Sequence, residues 1–119
     1  MTRLVAILML LGLPLSGMAE EVSPGKGAVI RTLDKINGMV EDIELANREA
    51  VEIGRIKVTL GECRFPVGNP AGDAYAFLTV TEEGRDSPVF IGWMIASSPA
   101  LSAMDHPRYD VWVLRCITE

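Results

Sequence analysis

His106 is the one histidine of the chain, so acid–base chemistry near neutral pH would have to pass through it. Asp105, Asp110, Ser97, Ser98 and Ser102 all lie within a dozen residues of it. A small periplasmic enzyme using His106 with Asp105 or Asp110 is therefore one reading of the chain. Triads, however, are built on a nucleophile held at a strained turn, and the chain has no GxSxG-like element. Ser98 before Pro99 already has sufficient work as a helix cap, and Asp105-His106-Pro107 reads as the end of that helix. The catalytic reading stays an alternative, and no catalytic residue is assigned.

Metal chemistry is weighed in the same way. Met94, Met104 and His106 are ligands that copper would accept. Both methionines fall where an apolar strand and a short helix need core filling, so packing explains them. Zinc fails on count, with two cysteines and one histidine and no CxxC. Glu41, Asp42 and Glu44 alternate along a strand, so their carboxylates diverge instead of converging on calcium. No metal site and no cofactor is expected. Trp93 and Trp112 could form a carbohydrate or aromatic-ligand platform, but both sit among apolar neighbours, and core is expected for at least one.

The clearest assignment is an export signal. Arg3 supplies the positive start, LVAILMLLGLPL over residues 4–15 the apolar run, and Gly17 and Ala19 the small residues for cleavage after Ala19. An apolar helix of that length spans about 18 Å, short of the roughly 30 Å hydrocarbon core. Residues 1–19 are therefore expected to be removed, with the product released to the periplasm and not inserted in the membrane. The whole chain carries −5, and losing Arg3 makes the remainder −6. That acidic balance, with no Lys/Arg cluster, excludes nucleic acid as a partner. Cys63 and Cys116 allow one intramolecular pairing, and an oxidising compartment favours it.

These residues must be positioned by short β runs broken by turns. Residues 20–27 read as a flexible leader and 28–119 as one domain. Strands are expected at 28–33, 39–45, 50–53, 55–60, 74–81, 89–95 and 109–117, with Asn37-Gly38 as a hairpin turn. Ile56, Val58 and Leu60 alternate inward; strict parity turns Cys63 outward, and a bulge at Gly61 would re-aim it. Residues 65–73 read as loop. VFIGWMI, apolar on both faces, reads as a central strand covered twice. In the last strand, Trp112, Leu114 and Cys116 are expected to share a face. The fold class is all-β: a small antiparallel sandwich or partly open barrel of six to seven strands with one short helix.

The run Gly92-Trp93-Met94-Ile95-Ala96-Ser97-Ser98-Pro99-Ala100-Leu101, followed by Asp105-His106-Pro107, Tyr109-Asp110-Val111-Trp112 and Cys116, resembles the signature of a domain-of-unknown-function family of short exported alphaproteobacterial proteins. The likeness extends upstream to Leu33-Asp34-Lys35-Ile36-Asn37-Gly38 and Cys63, and Ile95 departs from it where an aromatic residue is usual. The resemblance implies export and a shared fold, and carries no activity.

The reading that results is an exported periplasmic accessory or binding module acting through protein contacts. The partner implied is a protein, with a membrane-bound assembly as one candidate. Its interaction surface is expected on the long connection before the last strand, at Ser98, Pro99, Ser102, His106 and Arg108; a packing lid is the competing role for that segment.

Overall fold

The computed structural model describes residues 21–119, so the expected signal peptide at 1–19 lies outside the described residues. Eight strands are described: β1 (Val22–Pro24), β2 (Gly27–Asp34), β3 (Val40–Ala46), β4 (Ala50–Ile53), β5 (Ile56–Pro66), β6 (Tyr75–Glu82), β7 (Phe90–Ile95) and β8 (Tyr109–Ile117). They form two antiparallel sheets. One runs β1-β5-β6-β7, with β4 also paired to β5; the other runs β3-β2-β8. The expected all-β sandwich is the fold.

Alternation puts one face of each strand in the core. Ile56, Val58 and Leu60 on β5, and Ala76, Leu78 and Val80 on β6, are fully or almost fully buried. They meet Ala28 and Ile30 of β2, Leu45 of β3, and Tyr109, Val111 and Val113 of β8 from the other sheet. The hairpin between β2 and β3 turns at Gly38, whose φ of +75° suits glycine. Asn37 supports it by accepting the Met39 N–H through Oδ1 at 2.8 Å.

Two bulges decide where the cysteines point. On β5, Leu60 pairs with Leu78 and Glu62 with Phe77, so Gly61 is the extra residue, as its glycine suggested. On β8, Val113 pairs with Ile30 and Arg115 with Val29, so Leu114 is extra. Each bulge shifts the phase of its strand by one. Cys63 and Cys116 both turn inward, with Cα atoms 5.6 Å apart and sulfurs at bonding distance, 2.09 Å.

Several expectations are corrected. The leader over 20–27 includes a strand: Val22 pairs with Pro66, and Pro24 with Arg64. Its following residues continue to bond, from Gly25 N–H to the Cys63 carbonyl and from Lys26 N–H to that of Ile117. β5 runs two residues into the stretch read as loop. The face of β8 that enters the core carries Tyr109, Val111 and Val113; Trp112 and Leu114 face the other way until the bulge restores Cys116. β7 is an edge strand with a solvent-facing side, not a central one. The expected short helix is a single 3-10 turn, Pro99–Ser102, and the Ser98 side chain makes no capping hydrogen bond.

Candidate functional site

The connection from β7 to β8 is pinned at both ends. At its start the Ala96 N–H bonds the Ala74 carbonyl at 2.9 Å. The Asp73 carboxylate then accepts both the Ser97 N–H at 2.9 Å and the Ser97 hydroxyl at 2.5 Å. Burial pushes the Asp73 carboxyl up, but these bonds and one from the Ala74 N–H outweigh it and hold it below the usual range. At its far end His106 is buried. Its Nδ1 accepts two successive backbone N–H groups, of Arg108 at 3.0 Å and Tyr109 at 3.1 Å. A nitrogen accepting both carries no proton, so the ring proton sits on Nε2 and is donated to the Glu82 carboxylate at 3.1 Å.

The base of the β2–β3 hairpin closes over the same turn. Lys35 donates its Nζ to the His106 carbonyl and its N–H to the Arg108 carbonyl, each at 2.7 Å. Arg108 forks onto Asp34, with Nη2–Oδ2 at 2.9 Å, and stacks over the Tyr109 ring at 5.0 Å. The Arg108 side chain holds the Asp34 carboxyl below its ordinary range, and Asp34 in turn raises Arg108. Two separate stretches of the sequence, Leu33–Gly38 and Asp105–Tyr109, are thus one clasp in space.

Of the five residues expected on an interaction surface, Pro99 is exposed, Ser98 and Ser102 are half-buried, Arg108 is half-buried in its ion pair, and His106 is buried. His106 is therefore a structural pin. The partner of its ring is Glu82, not Asp105 or Asp110; Asp110 accepts the Val111 N–H, and the Ser97 hydroxyl belongs to Asp73. Met94 and Met104 are buried in the core. Among the described residues no group of three or more His, Cys, Asp or Glu side chains is gathered as for a metal ion. The acidic strand β3 spends Asp42 on Arg31, at 2.7 Å, which holds that carboxyl below its usual range.

What stands out instead is the outer face of the five-stranded sheet. Tyr75, Phe77 and Thr79 of β6 lie directly opposite Ile95, Trp93 and Ile91 of β7. Phe77 meets Trp93 edge to face with centroids 5.4 Å apart. Arg64, on the other side of β6, reaches across to Trp93, its guanidinium 5.1 Å from the ring. Glu62 fixes Arg64 from below with bonds of 2.8 and 3.2 Å. The result is a cleft of about 290 Å³ lined by Val22, Arg64, Tyr75, Trp93 and Ile95. Trp93 remains 37% exposed and Ile91 56%, so large apolar side chains face outward where a covered strand was expected. The signal for this site was present as alternation: in YAFLTVT Tyr75 and Phe77 share one face, and in FIGWMI Trp93 falls on the face opposite Phe90. A second hollow, about 360 Å³, lies between the 3-10 turn and β8, lined by Pro99, Ala100, Ala103, Asp110, Val111 and Trp112.

Comparison with known proteins gives a family and one relative. The family model described as "Uncharacterized protein conserved in bacteria (DUF2155)" matches residues 28–116. An uncharacterized protein of Rickettsia prowazekii (strain Madrid E) is 34% identical over 101 residues, covering 82% of this chain. The matched part is 64% of that relative, so the chain spans just under two thirds of its length. No solved structure matches.

Proposed function

We propose, for a chain that belongs to the DUF2155 family of uncharacterized bacterial proteins, the role of an exported, non-catalytic module that binds a partner protein in the periplasm. The observation that carries this reading is the outward cleft beside Trp93. Trp, Tyr and Arg are the residue types that dominate binding energy at protein interfaces, and Trp93, Tyr75 and Arg64 gather there around apolar Val22 and Ile95. Arg64 is already oriented by Glu62, which lowers the entropy lost when a partner docks. An apolar side chain or short apolar segment of the partner fits the hollow, with Arg64 as its polar rim.

Export rests on the signal at residues 1–19 and on a cysteine pair suited to an oxidising compartment. Among the described residues no helix is long and apolar enough to cross a membrane.

A photo-crosslinker placed at Val22 in intact cells tests the binding surface. It is expected to trap one protein repeatedly, and Arg64→Glu is expected to abolish that product without changing the melting temperature by more than about 2 °C. A product insensitive to Arg64→Glu, or none at all, would sink the reading. Intact mass of the periplasmic protein is expected to show the loss of residues 1–19.

A further inference from the structure

Sheet edges normally carry a device against pairing with another strand, such as a charge, a proline, a bulge or short length. In this sandwich most edges have one. β1 is three residues long and ends in Pro24; β4 is four residues long and carries Glu52. β3 displays Glu41, Asp42 and Glu44, and β8 is bulged at Leu114 and carries Asp110 and Arg115. β7, Phe90–Ile95, has no charge and no proline along its length.

Its backbone is directed accordingly. The Ala96 N–H to Ala74 carbonyl bond, with the register Tyr75 to Ile95, fixes which residues face β6. Phe90, Gly92 and Met94 bond inward, so Ile91, Trp93 and Ile95 turn their N–H and C=O groups to the open side. The Ile95 carbonyl takes the Ser98 N–H at 3.0 Å. Among the described residues no other group bonds the Ile91 or Trp93 backbone on that side. Gly92 lies between them. A Cβ there would meet only the Phe90 ring, at 3.4 Å or beyond, so the packing of this chain does not demand glycine. A glycine within a strand also marks where another backbone approaches.

We propose that the open edge of β7 pairs with β7 of a second copy, antiparallel, about a two-fold axis through Gly92. That axis sets Ile91 opposite the second copy's Trp93 and Trp93 opposite the second copy's Ile91. These are the residues whose outward backbone groups no other described residue bonds, and each pair exchanges two ladder bonds. On the inner side Phe90 falls opposite the second copy's Met94. No charge meets a like charge, because β7 carries none, and the glycines at the axis put no side chains at the closest approach. The interface is self-complementary, as a two-fold contact must be. It joins the two five-stranded sheets into one; it shares Trp93 with the proposed partner cleft but leaves Val22 and Arg64 outside the strand pairing.

Sedimentation of the purified protein from about 1 to 200 µM tests this, since a strand-pair contact of this size belongs to the micromolar class. The mass is expected to rise from monomer to dimer across the range. Amide exchange at Ile91 and Trp93 is expected to slow with concentration. Ile91→Lys, at an exposed outer-face position, is expected to leave a folded monomer at every concentration. Arg64→Glu is expected to leave the dimer intact. A monomer throughout the range overturns the proposal, as does a dimer that survives Ile91→Lys or that is lost in Arg64→Glu alone.

Discussion

The phenol oxygen of Tyr109 stands where a side chain on residue 54 would begin, and there accepts the N–H of Arg55 at 3.1 Å. Gly54, at φ +58°, makes the tight turn from β4 to β5, and the buried Tyr109 at the head of β8 fills the space above it. Gly54→Ala meets both a left-handed backbone and the tyrosine ring. It is expected to destabilise by roughly 2–4 kcal/mol. Tyr109→Phe keeps the ring and removes the acceptor, leaving the Arg55 N–H unpaired, for roughly 1–2 kcal/mol. Urea melts of both variants check the order; Gly54→Ala at wild-type stability would refute the contact.

His106→Ala should behave as a core mutation. It strips the acceptor from two backbone N–H groups in a buried turn, for roughly 2–4 kcal/mol. Glu82→Gln should cost much less, about 0.5 kcal/mol, because an amide oxygen still accepts the ring proton. A His106→Ala protein that melts like wild type would remove the clasp from the account of stability.

Three carboxyl groups give the molecule an acid-sensitive side. Asp34 is lowered by Arg108, Asp42 by Arg31, and Asp73 by its net hydrogen bonding against burial. A folded value below the ordinary 3.8 means the unfolded chain takes up protons first as pH falls. The stability these groups supply is complete above that value and is lost as pH drops through each folded value. Melting temperature is therefore expected to be flat, for these groups, from neutrality to about pH 5 and to fall below about pH 4. Asp34→Asn should lower it at pH 7 and flatten the acid limb; an unchanged limb in that variant would assign the acid loss elsewhere.

The Cys63–Cys116 pair closes a loop of 53 residues. Replacing both by Ser is expected to lower stability by roughly 2–5 kcal/mol. Non-reducing peptide maps should show the two peptides linked, and two free thiols in the native protein would contradict the pairing.

The sequence made some of this legible and hid the rest for identifiable reasons. Gly61 announced its bulge because glycine in an alternating strand is itself the signal. Leu114 bulges without one, so the expectation that Cys116 shares a face with Trp112 and Leu114 fails at the cysteine alone, although the boundaries of β8 are right. FIGWMI read as a central strand because apolarity on both faces does not say what covers the second face. His106 read as a helix end because Pro107 is next to it, while the partner that buries it, Glu82, is 24 residues away. The expected surface lay at the pinned connection; the apolar cleft lies on the strand just before it.

The paired bulges on β5 and β8 act as a parity check on chain length. Gly61 and Leu114 each add one residue before a cysteine, and each cysteine faces the core because that one residue is there. Deleting either residue would turn one thiol toward solvent and leave its mate facing the interior, whatever residues remained around them. Substitution at these two positions leaves the count intact and the pairing available. The spacing is thus a stricter instruction than the letters that occupy it, and the sulfur–sulfur bond reports whether both strands have been counted correctly.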